Sequence, residues 1–158
     1  MEPWEPSAYV RRMKIAIASD HAAYELKSQL VEALRDWDYE VDDLGTDGTE
    51  SVDYPDFGYK LASHMAAGKA DRGIALCGSG IGISIAANRN PKVRCALVSD
   101  PYSAALAREH NDANVIALGA RLIGVDMAKA CVMSFLVGNF AGDRHVRRVD
   151  KLSNPPQD

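Results

Sequence analysis

One thiol stands where it could do chemistry. Cys77 follows the apolar run Ile74-Ala75-Leu76 and precedes the loop Gly78-Ser79-Gly80-Ile81-Gly82. Residues 83–88 are apolar and alanine-rich, which predicts the start of a helix. A strand, a glycine loop and a helix in that order gather several backbone N–H groups at one point, where the helix dipole favours an anion. A thiol beside such a point can serve as nucleophile or base, because the helix end favours its thiolate. The same thiol could also be packing alone, as a buried cysteine often is. Cys95 and Cys131 lie inside apolar segments and take that second reading. The loop departs from the dinucleotide fingerprint, since Ile83 stands where the third glycine would. A smaller anion, an enolate or a phosphate, needs only the N–H groups. The plain alternative is a tight turn.

Other reactive types are scattered. Asp20-His21 follows an apolar segment, and His110-Asn111 ends a helical one. Taken singly, Asp20 reads as a helix N-cap and His110 as a complement to a helix C-terminus. His64 sits in a helical segment beside Met65 and reads as structural, without a partner. Arg144, His145, Arg147 and Arg148 form a dense basic cluster. Arg144 and Arg148 are four apart, share a helix face and offer two guanidinium forks, which suits a phosphate as well as a solvated face. Nothing has metal-ligand spacing, and no Ser/His/Asp elbow occurs.

These residues need a scaffold to meet. Apolar patterning predicts strands at Lys14–Ser19, 39–44, 73–76, 93–98 and 114–118. Helices are predicted at 22–36, 54–68, 83–90, 100–110 and Val125–Val137. Pro55 and Pro101 suit first helical turns, and Asn90-Pro91 ends a helix. Strict alternation of strand and helix implies right-handed crossovers and a parallel sheet covered on both faces. The expected fold is α/β: a single-domain, three-layer αβα sandwich with a five-stranded parallel sheet, Rossmann-like. Ligands bind beyond the carboxyl ends of such strands. Those ends are Ser19-Asp20-His21, Gly45-Thr46, Cys77-Gly78-Ser79, Ser99-Asp100 and Gly119-Ala120-Arg121. The domain is expected at 13–150, with 1–12 a flexible extension or tag remnant and 151–158 a disordered tail.

A chain of 158 residues supports one domain with a substantial core. A net charge of -4 argues against nucleic acid as a partner. No apolar run reaches the length of a membrane span, and the first residues lack a signal core. Three scattered cysteines without a CxxC suggest neither a disulfide framework nor zinc and fit a reducing cytoplasm.

Taken together, IASDHAAYELK (17–27), DYPDF (53–57), GIALCGSGIGISIAANR (73–89), DPYSAALAREHNDANVIALGAR (100–121) and GDRHVRRV (142–149) resemble the type B ribose-5-phosphate isomerases and the related galactose-6-phosphate isomerase subunits. The resemblance implies interconversion of D-ribose 5-phosphate and D-ribulose 5-phosphate through an enediolate, in the pentose phosphate pathway. It assigns Cys77 as the base that moves the proton between C2 and C1. Family members without this cysteine carry a glutamate at the position of Ile83. It gives Ser79 a hydroxyl role, gives His110 and Asp20 ring opening, and makes the N–H groups of Gly78, Gly80, Ile81 and Gly82, with Asn111, an anion hole. His21, Arg121, Arg144 and Arg148 would hold the phosphate. The family's sites are shared between two subunits, so a homodimer or a tetramer is implied, with no cofactor and no metal. A six-carbon sugar phosphate, allose or galactose 6-phosphate, is the alternative substrate. A non-catalytic nucleotide-binding module is the alternative class.

Overall fold

The structure is a computed structural model and describes residues 12–158. The expected extension at 1–12 lies outside the described residues but for Arg12, which pairs with Asp38 at 3.0 Å. The strands are β1 (Lys14–Ser19), β2 (Glu40–Asp43), β3 (Arg72–Cys77), β4 (Cys95–Leu97) and β5 (Val115–Gly119). The helices are α1 (Tyr24–Asp36), α2 (Tyr54–Ala66), α3 (Ile81–Ala87), α4 (Pro101–Asn111), α5 (Val125–Val137) and α6 (Arg144–Ser153). All strand pairs are parallel, in the order β2-β1-β3-β5-β4. The chain leaves β1 toward one edge and later builds from β3 toward the other, so the order reverses between β1 and β3. That is where α/β sheets open a crevice for ligands.

Period-two alternation sorts the strand side chains by size. Ile15, Ile17, Ile74, Leu76, Ile116 and Leu118 face one way and pack with α1, α4 and α5. Ala16, Ala18, Ala75, Cys77, Val115 and Ala117 face the other way and pack with α2 and α3. The small face lets α2 and α3 lie close. A Cβ added at Gly58 of α2 would stand 2.7 Å from the Ala86 Cβ of α3. The large face buries the bulkier side chains, and burial stabilises by about 25 cal/mol per Å² removed from water. No helix among the described residues is long and apolar enough to cross a membrane.

Several boundaries differ from the sequence reading. Asp20 does cap, but it caps a 3-10 turn, His21–Ala23, ahead of α1; its Oδ1 accepts from the Ala23 N–H at 3.3 Å. The third helix starts at Ile81, two residues early, because Gly80 in the left-handed region (φ 76°) turns the chain at once. The fourth strand shortens to Cys95–Leu97 at the sheet edge. The last helix runs to Ser153, past the expected start of a disordered tail at 151, because Ser153 is tied back to Arg94. His64 is not partnerless: its Nε2 lies 2.7 Å from Asp42 Oδ2 on β2.

Candidate active site

At the carboxyl edge, β1 and β3 end side by side. Ser19 pairs with Leu76 in register, so Asp20 and Cys77 are the next residues of neighbouring strands. The Asp20 N–H continues the ladder to Leu76 O at 3.2 Å. Both side chains are nearly inaccessible, Asp20 at 5% and Cys77 at 4%. The Cys77 Sγ accepts the Gly80 N–H at 3.2 Å. That contact ties the sulfur to the turn at Gly80. Ser79 Oγ accepts from the Ile81 N–H at 3.2 Å. Arg121 reaches back over the same loop. Its N–H donates to Gly78 O at 2.9 Å, and a Cβ at Gly78 would stand 3.3 Å from Arg121 Nη1. His21 Nδ1 accepts the Val52 N–H at 3.1 Å, which leaves Nε2 to carry the ring proton and act as donor. A cleft of about 270 Å³ flanks the loop, lined by Ser79, Ile81, Leu97, Ser99, Gly119 and Leu122, with Asp20, His21, Cys77 and Arg121 outside its lining. Ile83 is fully buried among α2 and strand residues, so its position offers no polar group.

The other predicted residues lie elsewhere. Helix α4 returns from the carboxyl end of β4 to the start of β5, so His110 and Asn111 sit at the amino edge of the sheet. Gly73 N–H donates to Asn114 O, which sets that level. From Gly73 to Cys77 the strand climbs about 13 Å, at about 3.3 Å per residue. His110 stacks on His145 of α6, with centroids 4.4 Å apart and planes at 12°. His145 and Val149 form the inward face of α6 and are both buried. Arg144 and Arg148, one position earlier, are exposed on the neighbouring face. Burial, with Arg144, His110 and Arg148 nearby, pushes the His145 imidazole below its ordinary value, while Asp143 opposes this. Asn111 is exposed and lines a separate groove of about 460 Å³ with Arg89, Arg94, Cys95, Ala113 and Leu152. One chain therefore brings together Asp20, His21, Cys77, Gly78–Gly82 and Arg121, and separately His110, Asn111, Arg144 and Arg148.

Burial pushes the Cys95 thiol up to about 12 and the Cys131 thiol up to about 11, so both stay protonated near neutral pH. Hydrogen bonds from Ser103 hold Asp100 below the usual carboxylate range, which fits a cap rather than an acid.

Two supports escaped the sequence reading. Lys27, on the apolar face of α1, is 2% exposed and binds both oxygens of Asp43 at 2.6 and 2.8 Å. Asp43 Oδ1 also accepts from the Gly45 N–H at 3.0 Å, which fixes the loop that pairs with Ser19. Arg108, 4% exposed on α4, binds Asp112 Oδ1 at 2.9 Å. A lysine inside an apolar stripe was the available signal for the first. An arginine in the last turn of α4 with an aspartate four residues on, at the helix C-cap, was the signal for the second.

Solved structures share this fold closely. Ribose-5-phosphate isomerase B of Clostridium thermocellum is 51% identical with a TM-score of 0.88, over 89% of this chain and 95% of that one. The type B ribose 5-phosphate isomerase of Trypanosoma brucei is 41% identical with a TM-score of 0.89, over 92% and 100%. By sequence, ribose-5-phosphate isomerase B of Escherichia coli is 43% identical over 140 residues, 89% of this chain and 94% of that protein. Sheet order, covering helices and this similarity define a Rossmann-like α/β sugar-phosphate isomerase. The ribose/galactose isomerase model matches residues 15–152, and the chain belongs to that family.

Proposed function

We propose that the protein interconverts D-ribose 5-phosphate and D-ribulose 5-phosphate through an enediolate, at sites shared between the two subunits of a homodimer. The observation that carries this is the division of the predicted residues between opposite edges of one sheet. Each edge holds half of a set that aldose–ketose isomerisation needs together. The transfer requires ring opening, a base, donors for the developing oxyanion and an anchor for the phosphate. The carboxyl edge offers the thiol and the loop N–H groups. The amino edge offers an imidazole, an amide and two guanidinium groups. Two copies facing each other would join the halves. A soluble sugar phosphate is small and anionic, so local cations outweigh the chain's net negative charge. Such a substrate fits the cytoplasmic pentose phosphate pathway.

In this reading Asp20 and His110 open the furanose by moving the proton between O1 and the ring oxygen. Cys77, as thiolate, takes the C2 proton and returns it to C1. The negative charge that gathers on the enediolate oxygen meets the N–H groups of Gly78, Gly80, Ile81 and Gly82, with Asn111 and the Ser79 hydroxyl assisting. His21 through Nε2–H, Arg121, Arg144 and Arg148 hold the phosphate. The buried Ile83 supports Cys77 as the base, because no carboxylate stands there.

The test is a ribose 5-phosphate isomerase assay on wild type and Cys77→Ala. Loss of a general base lowers kcat about 10² to 10⁴-fold. Wild-type kcat in a folded Cys77→Ala protein would remove the thiol from the mechanism. Six-carbon phosphates run in the same assay decide the sugar, and a higher kcat/KM for one of them would replace ribose 5-phosphate as the substrate.

A further inference from the structure

Besides Arg108, the end of α4 is held by Arg94, a side chain that no part of the reaction uses. Arg94 lies just ahead of β4, and its backbone is fixed against β5. Its N–H donates to Asn114 Oδ1 at 2.8 Å, and its carbonyl accepts from Asn114 and Val115 at 3.1 and 3.3 Å. Its guanidinium then spreads over the helix end. Nε donates to Asn111 O at 3.2 Å and to Asp112 O at 3.0 Å. Nη2 donates to Asp112 O at 2.8 Å and reaches its carboxylate at 3.3 Å. Nη1 donates to Ser153 Oγ, at the last residue of α6, at 3.3 Å.

Those carbonyls belong to the group that every helix leaves without an internal partner. Asp112 is also in the left-handed region, φ 45°, at the helix C-cap, a conformation that aspartate adopts at a modest cost. Arg108 holds the opposite side of the Asp112 carboxylate. The result is a fixed helix end whose last two residues are His110 and Asn111, joined through the same guanidinium to the helix bearing Arg144 and Arg148. A lysine would bring one point charge and could not span these acceptors at once.

We propose that Arg94 is a positioning residue for the reaction: it sets His110 and Asn111 for chemistry and ties them to the phosphate-binding helix. This rests on the reading of the site given above. The test compares kcat and KM for Arg94→Lys in the wild-type chain and in a His110→Ala chain, with melting curves to establish that each is folded. Arg94→Lys should lower kcat about 10- to 100-fold in the wild-type chain, the scale of a misplaced catalytic group. In His110→Ala it should lower kcat several-fold less than in the wild-type chain, because only Asn111 is then left to position.

Equal losses in both backgrounds, or wild-type kcat in Arg94→Lys, would overturn the inference while leaving the reading of the site intact. A His110→Ala protein with wild-type kcat would overturn that reading and this inference with it. Ser153→Ala removes only the tie to α6 and keeps the fold independent of the lysine variant. It should raise KM about two- to threefold with kcat unchanged, the scale of one long, partly exposed hydrogen bond; an unchanged KM would overturn the link to α6.

Discussion

Mixing two inactive variants tests the shared site most directly. Cys77→Ala removes the proposed base from the carboxyl edge, and His110→Ala removes the imidazole from the amino edge. Each variant alone should lose about 10²-fold or more in kcat, the usual scale for a general acid or base. A two-fold symmetric dimer has two equivalent sites, each built from the carboxyl edge of one copy and the amino edge of the other. In a hybrid dimer one site carries both lesions. The other combines an intact Cys77 with an intact His110. Random exchange of equal amounts gives half hybrids, so the mixture should reach about one quarter of wild-type activity. The two groups stand at opposite edges of a strand that climbs about 13 Å between them, with the packed sheet in the way, so a copy cannot complement itself. The assay is ribose 5-phosphate turnover before and after unfolding and refolding the mixture together, with each variant refolded alone as the control. A mixture no faster than the mean of its parents would refute the division of the site between copies.

Two further outcomes follow from the packing. A Cβ at Gly119 would stand 2.6 Å from the Ser79 backbone carbonyl, and backbone cannot turn aside; Gly119→Ala should cost about 1–3 kcal/mol in denaturant melts and lower kcat by displacing the loop, so a variant with wild-type stability would contradict the close approach. His145 is held below its ordinary imidazole value by burial and by Arg144, His110 and Arg148. The unfolded chain then takes up that proton first, so stability is full above about pH 6.5 and falls as pH drops through that value toward the folded one. Tm should decline over that window in the wild type and less steeply in His145→Asn; parallel slopes would show that His145 is not responsible.

The large-and-small alternation of KIAIAS, GIALC and VIALG is legible in the sequence, and it sorts the helices onto two faces. The glycine loop and its thiol are legible too, because strand, turn and helix lie within one short segment. The order of elements also contains a consequence that inspection of the strand ends alone passes over. A helix that follows a parallel strand must return to the amino edge before the next strand begins. His110 and Asn111 end such a helix, so the alternation itself separates them from Cys77. What local pattern does not encode are the pairings Lys27–Asp43 and Arg94–Asp112, 16 and 18 residues apart. Each depends on which strand lies beside which, and a charged residue in an apolar stripe says only that some partner exists.

The two edges are built by different physics, and this bears on what each can do. At the carboxyl edge, position comes from the backbone: the ladder through Asp20, the left-handed Gly80 and the close pass of Gly119 beside Ser79. Such an edge offers fixed N–H dipoles and little freedom, which suits the stabilisation of charge that appears only in the transition state. At the amino edge, position comes from side-chain cations. Arg94 and Arg108 grip Asp112, which is about one-third exposed. The arginines at 144 and 148 are exposed, and their helix is seated through its neighbouring face, by His145 and Val149. Long, exposed guanidinium groups tolerate small shifts in a ligand, which suits an anchor for phosphate far from the reacting carbons. A site assembled across two copies can thus join a rigid half for proton transfer to an adaptable half for binding. On the proposed mechanism the demand for rigidity at the amino edge falls on His110 and Asn111, and these are the residues whose helix end the Arg94 guanidinium holds.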